Sequence, residues 1–370
     1  MGASFPQHPE PSPVPKSGRL SRHRRRLGRS TLVATFLAVV MICSACLFAG
    51  TGAQAASNAS TLSPSSPPDF RAVSCPTKAA CMAVGPSVFR TTDGGTTWMR
   101  LSYPKGAGTI FGVACASVTT CEVDGVGNGD IGAIYGTTDG GAKWTLQLQA
   151  IVGGYFLAIA CPSTSVCEAT GLDGDIFGTT NGGATWTPQL QDGAEGQIVG
   201  VVCLSVHLCE AVAGGGLRTT NGGQTWKGQG LPEPGDGTEY TAVSCGSTKT
   251  CAVIGFNSFD HGEKERASAA RTTDGGADWY LGHLPSGTGS LSGVACTSLE
   301  ICEAVGTGNG LPISVVGTTD GGKTWVAQDV PASASLNAVA CPTADICEAV
   351  GTSLYRTVNG GNTWIRQHLP

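Results

Sequence analysis

Charge is scarce in this chain: of 370 residues, 13 % are Asp, Glu, Lys or Arg, and 6 % are aromatic. Positive charge is scarcer still past the N-terminus. Seven of the 22 basic residues (Lys16, Arg19, Arg22, Arg24, Arg25, Arg26, Arg29) precede residue 31 with one of the 27 acids, Glu10, leaving 15 basic against 26 acidic residues. An acidic body cannot neutralise phosphate, which excludes nucleic acid and a broad anionic-lipid surface as partners. Histidine is sparse too. Past the N-terminal segment only His207, His261, His283 and His368 occur, no two at ligand spacing, so neither a His-ligated metal nor a Ser/His/Asp triad is expected. The Gly-rich stretches at 125–129 and 214–216 precede no helical pattern, which excludes a phosphate cradle; no cofactor is expected.

Glycine and proline are abundant, at 55 and 20 residues, and few stretches suit a helix. Such a composition fits many short strands joined by tight turns, an all-β architecture. The one long apolar run, 31–50, follows the cationic stretch 19–30 and precedes Ala53-Gln54-Ala55, a small-x-small cleavage pattern. Residues 1–55 are therefore expected to be a signal peptide cleaved after Ala55, or alternatively an uncleaved anchor crossing the membrane through 31–50. Residues 56–69 read as a Ser/Pro-rich linker. The expected localisation is secreted or extracytoplasmic, with membrane contact only through the N-terminal segment.

From 70 to 370 one pattern recurs seven times: apolar-x-Cys, five residues, Cys-x-apolar, a variable stretch, then Thr-[Asp/Asn]-Gly-Gly-x-x-Trp, with Val358 replacing that Thr once. The seven boxes place Asp93 and Trp98, Asp139 and Trp144, Asn181 and Trp186, Asn221 and Trp226, Asp274 and Trp279, Asp320 and Trp325, and Asn359 and Trp364 at equivalent points. These are all seven Trp of the chain, and the first cysteines recur every 40 to 51 residues, the length of a four-stranded blade. The first repeat reads as strands at 70–75, 81–85, 87–92 and 97–101. The box Gly residues supply positive φ, the Asp or Asn accepts amides of its own turn, and the Trp packs on the neighbouring blade. The expected fold is a seven-bladed β-propeller with four antiparallel strands per blade, closing without strand exchange, as a monomer.

Past the leader, whose Cys43 and Cys46 count as small apolar residues, 14 cysteines remain. They form the pairs Cys75/Cys81, Cys115/Cys121, Cys161/Cys167, Cys203/Cys209, Cys245/Cys251, Cys296/Cys302 and Cys341/Cys347. An even count behind an export signal favours one disulfide per blade. Zinc needs four ligands, and each blade supplies two cysteines and no recurring His.

The box resembles that of BNR/Asp-box propellers, and its TTDGGxTW form looks most like the photosystem II assembly/stability-factor-like family; sialidases share it. The resemblance implies that the box is a structural turn remote from any catalytic centre. It also implies partners that are proteins, membrane proteins under assembly among them. The cysteine pair is an addition to the family pattern.

A sialidase-like site needs converging arginines and non-repeated acids. Arg90, Arg218, Arg271 and Arg356 sit instead at one repeat-equivalent position, where other blades carry Gly136, Gly178 and Gly317, and read as exposed strand residues. Glu122, Glu168, Glu210, Glu303 and Glu348 each follow the second Cys and read as surface or blade-edge groups bonded to nearby backbone. Asp124, Asp130, Asp173, Asp175, Glu195, Asp236, Glu239, Asp260, Glu263 and Glu265 are not repeated, and any two that converge would suit glycoside hydrolysis. No catalytic residue is assigned. The expected function is a non-catalytic binding or assembly scaffold for cell-envelope proteins, the alternative a glycan-acting hydrolase.

In a four-stranded meander the Cys turn and the box turn share one end of the ring, both constant in length. Variation falls on the other end: the offset from second Cys to box Asp or Asn runs from 12 to 23, longest through the charged stretch 256–270. Phe111, Tyr155, Phe156 and Tyr240 lie near blade connections on that end, which is the expected recognition face.

Overall fold

The computed structural model describes residues 69–149, 154–191, 196–234, 237–257, 266–330 and 335–370. The leader, the linker up to residue 68 and the centre of the charged insertion lie outside the described residues. Seven four-stranded antiparallel sheets follow one another in strict chain order. The first blade is built from Ala72–Ser74, Cys81–Val84, Val88–Thr91 and Met99–Leu101, close to the segmentation expected from the pattern. First strands of successive blades touch, and the seventh touches the first. The ring thus closes on whole blades. At the closing seam the Phe70 amide donates to the Gly351 carbonyl at 2.9 Å, and the Asn337 amide group donates to the Phe70 carbonyl at 2.7 Å.

All seven cysteine pairs are disulfides, with Cα atoms 3.9 to 4.1 Å apart across the turn between first and second strands. The two members of a pair differ in a way that their even spacing does not suggest. The second cysteines, Cys81, Cys121, Cys167, Cys209, Cys251, Cys302 and Cys347, each open the second strand of their blade and are at most 3 % exposed. Their partners Cys75, Cys115, Cys161, Cys203, Cys296 and Cys341 are half-buried, and Cys245 alone among the first cysteines is buried. The physical reason is that a second strand has neighbouring blades on both faces, so nearly all of its positions are covered. Each bridge therefore ties the rim of a turn to the blade interior and is not a surface clip. In all seven blades the first box Gly amide donates to a carbonyl of the same blade's Cys turn, from Gly94 to Ala79 at 2.8 Å through Gly360 to Asp345 at 3.0 Å. The two turns therefore share one end of the ring, and the variable loops occupy the other.

Within the box, Asp93 accepts the Thr97 amide at 2.9 Å, as expected of an Asx turn. A second acceptor, unforeseen, is the buried Thr91 hydroxyl, which takes the Gly95 amide at 2.8 Å and donates to Asp93 at 2.8 Å. Gly94 and Gly95 have φ of 69° and 75°, which L side chains rarely adopt. The same pattern explains Val358: it replaces the exposed second Thr, while buried Thr357 keeps the hydrogen bonds.

Candidate functional site

Five blades carry Glu directly after the second Cys, and the expectation that these are surface or edge groups bonded to backbone is overturned. Glu122, Glu168, Glu210, Glu303 and Glu348 are at most 4 % exposed. Strand alternation turns position Cys+1 onto the next blade rather than toward water. Each is met by a side chain: Gln147 donates to Glu122 at 3.1 Å and Gln189 to Glu168 at 3.0 Å, Gln328 donates to Glu303, and Arg218 and Arg356 pair with Glu210 and Glu348.

The Gln residues carry the contact across the seam. Three positions after the box Trp, five blades have Gln147, Gln189, Gln229, Gln328 and Gln367. Each accepts the indole N–H of the following blade's Trp: Trp186 at 3.2 Å, Trp226 at 3.0 Å, Trp279 at 3.2 Å, Trp364 at 2.9 Å and Trp98 at 2.9 Å. An indole only donates, so it fixes the amide orientation and aims the Gln NH2 at the Glu or at adjacent backbone.

Blades one and five have neither Glu nor Gln, but Met82 with Leu101 and Ala252 with Gly282. Accordingly, the buried indole nitrogens of Trp144 and Trp325 lack a hydrogen-bond partner among the described residues. The seam after blade one is filled by apolar Met82 and Leu101. The seam after blade five is stitched by backbone, His283 amide to Lys323 carbonyl and Trp325 amide to His283 carbonyl, both 2.9 Å. Gly282 is required there, since a Cβ would stand 2.6 Å from the Gly322 carbonyl oxygen.

Three of the four arginines expected to be exposed strand residues, Arg90, Arg218 and Arg356, are half-buried seam braces; Arg271 is half-buried too, but its buried Nε has no partner among the described residues. Arg218 donates to Gly275 at 2.6 Å and to Thr248 at 3.1 Å, Arg90 to Val118 at 3.0 Å, and Arg356 to Lys78 at 3.4 Å, each a carbonyl of the next blade. Burial pushes the Glu122 and Glu303 carboxyls up to about 8 and those of Glu168, Glu210 and Glu348 to about 7, with the Gln or Arg partner offsetting part of the rise.

Gln189→Leu is expected to cost about 2–3 kcal/mol, because it orphans the Trp226 indole and one Glu168 oxygen together. Gln149→Leu, at an exposed contact in the second blade, should cost far less. Urea titration of both variants checks this; equal stabilities would show that the relay contributes nothing.

At the other end of the ring a second repeated device appears. In blades two, three, five, six and seven the first strand bulges at one residue, skipped in pairing with the second strand: Phe111, Leu157, Thr241, Ser292 and Asn337. Arg71 and Val199 hold the same place in blades one and four. Each donates its amide to the second-strand carbonyl (Val84, Val212) opposite the residue that follows it. In every blade but the fourth, which has Ala213, glycine four residues after the second Cys makes room at this point: a Cβ on Gly255 would lie 1.9 Å from the Glu239 carbonyl oxygen. All seven bulge residues are partly exposed, whereas each residue before them, from Phe70 to Leu336, is buried. Bulges re-aim side chains. Here they set a ring of seven around the channel, at the variable-loop end where first strands begin.

The non-repeated acids are scattered. Asp124 is 1 % exposed, and burial pushes its carboxyl up to about 7; it fits because residue 112 is Gly, whose Cβ would lie 2.0 Å from Oδ1. Asp130 and Asp173 are exposed, and Asp175 and Glu239 half-buried. Glu195, Asp236, Asp260, Glu263 and Glu265 lie outside the described residues. Of the aromatics expected on this face, Phe156 and Tyr240 are buried in blade packing, while Phe111 and Tyr155 stay partly exposed.

No known family profile matches the chain, and no curated protein matches its sequence. Solved structures share its architecture. A structure described as YCF48 bound to D1 peptide superposes with a TM-score of 0.60 at 18 % identity, over 80 % of this chain and 94 % of that one. YCF48 from Cyanidioschyzon merolae gives 0.59 at 18 % identity, over 79 % and 96 %. The GH74 xyloglucanase of Xanthomonas campestris gives 0.63 at 12 % identity, over 82 % of this chain but 55 % of the enzyme. At these identities the likeness establishes the propeller fold. The disulfides suit an extracellular or lumenal environment. Among the described residues no helix is long and apolar enough to cross a membrane.

Proposed function

We propose that this protein is a non-catalytic, extracytoplasmic propeller that binds protein partners through its variable-loop face, tethered or exported by its N-terminal segment. The observation that carries this is where the repeated charged groups go. The Glu and Arg residues are held inside the seams and the box Asp residues inside their turns, so the acids and bases repeated round the ring serve folding. Of the solved neighbours, one that matches over nearly its whole length is described as holding a peptide. The family implied by the box points the same way, to partners under assembly at the cell envelope.

The likeness to a xyloglucanase motivates the second reading, a glycan hydrolase. It requires two carboxylates about 5–9.5 Å apart over the substrate cleft. The deciding screen incubates the oxidised full chain with xyloglucan and fluorogenic sialosides. No turnover is expected; turnover abolished by substituting a single loop acid such as Asp173 would make the protein an enzyme. Pull-down from solubilised envelope should then recover a protein partner.

A further inference from the structure

We propose that the ring of bulged residues at the variable-loop end of the channel binds a linear peptide that presents a carboxylate beside apolar side chains. This rests on the protein-binding reading above and names where and what the propeller grips.

The first strands are otherwise monotonous. Before the bulge stands a large buried apolar residue, after it Ala or Gly, then Val or Ile. The bulge position varies most widely in chemistry, from Arg through Phe to Asn, and it is the one the backbone kinks to re-aim. The seven residues are sorted around the ring rather than mixed. Blades two to four carry Phe111, Leu157 and Val199; blades five to seven carry Thr241, Ser292 and Asn337; blade one carries Arg71 between the two arcs.

Two members of the polar arc are engaged with the fold. The Thr241 hydroxyl donates to the Leu291 carbonyl at 2.9 Å, and the Asn337 amide group donates to the Phe70 carbonyl, each bridging to the next first strand. The apolar arc and the cation are not engaged in this way. Arg71 lies over the Phe111 ring, 5.0 Å from its centroid, and its Nε is buried with no partner among the described residues. The ring contact holds the guanidinium in place and leaves its terminal Nη groups, rather than the buried Nε, to donate to a carboxylate. In a body with excess acid, an arginine resting on an aromatic ring rather than on a carboxylate is ready for an anion from outside. Half-exposed Phe111 beside it, with Leu157 and Val199 on the next two blades round the ring, would cover apolar side chains of the same ligand.

The test uses three fluorescein-labelled nonapeptides that share a Leu-x-Phe motif, titrated by anisotropy against the oxidised full chain. One has Asp at x and capped ends, one has Asn at x and a free C-terminal carboxylate directly after the Phe, and one has Asn and capped ends. At least one carboxylate peptide should bind about tenfold or more tighter than the neutral one, and which does so tells an acidic side chain from a chain terminus. Arg71→Met should erase that preference, Arg71→Lys retain part of it, and Leu157→Asp weaken all binding about tenfold or more. Thr187→Lys on an outer strand should change nothing. Melting curves of every variant guard against misfolding. Equal binding of all three peptides, or an intact preference in a well-folded Arg71→Met variant, overturns the proposal. So does binding of a xyloglucan oligosaccharide lost in Leu157→Asp, which would give the ring to a glycan. If Arg71→Met/Leu157→Asp still captures its partner from solubilised envelope, the protein-binding reading stands and the ring is not its site.

Discussion

Raising the pH from 5 to 8.5 is expected to lower the melting temperature of the oxidised protein by about 10 °C or more. Burial lifts Glu122 and Glu303 to about 8 and Glu168 to about 7 from an ordinary 4.5, so the folded chain holds protons that the unfolded chain has released. Folding therefore takes up protons between pH 4.5 and about 8, and stability falls as pH rises through that window. A tenfold change in proton affinity at one site is worth about 1.4 kcal/mol, and several sites act together. The box carboxylates work in the opposite sense. Hydrogen bonds from the Thr97 hydroxyl and amide hold Asp93 at about 2, and against the pull of burial the Thr324 hydroxyl and amide hold Asp320 at about 2. Their contribution is present above 3.8 and is lost as pH falls toward 2, which puts the optimum near pH 4–5. Glu122→Gln/Glu168→Gln/Glu303→Gln replaces three neutral acids by neutral amides and should flatten the alkaline slope. An unchanged slope in that variant would assign the pH dependence elsewhere.

Reduction of the disulfides should have the larger effect. A bridge closing so short a loop contributes about 2 kcal/mol by restricting the unfolded chain, and the seven bridges sit in separate blades, where contributions add. The sum exceeds 10 kcal/mol, as large as the whole stability of a typical domain, about 5–15 kcal/mol. With all 14 thiols free by mass spectrometry, the protein should melt at least 20 °C lower by circular dichroism, or be unfolded at 37 °C. A reduced protein melting within a few degrees of the oxidised one would mean that packing and the seam relays suffice.

Features set by local chemistry were legible in the residues alone. Positive-φ glycines, an Asx acceptor and paired cysteines bracketing a short turn each determine their own backbone, and seven copies make a ring. Ring closure on whole blades followed from a complete fourth strand ending in Ile365–Gln367. What misled was direction. Glu168 and Arg218 look like surface residues until the blades are stacked, because the seam they enter belongs to two repeats. The depth of Cys167 and Cys209 beside half-buried Cys161 and Cys203 was hidden for the same reason, since neighbouring blades supply the cover. A signal for the seam was nevertheless present: Glu after the second Cys and Gln three residues after Trp are both missing from blades one and five. The bulge left no such trace. It breaks the period-two alternation by a single residue, and only the contrast between variable Arg71, Phe111 and Asn337 and their uniform neighbours marks the position.

The relay also means that the blade is not the unit of exchange in this protein. Each Gln serves the indole of the blade that follows, so a sequence repeat encodes half of two interfaces. Transplanting blade one into the third position would leave its own Trp well served by Gln147 and orphan Trp226 next door. Any shuffling, duplication or loss of repeats in such a ring is thus felt one place downstream, and a neighbour must change in step for a graft to be neutral.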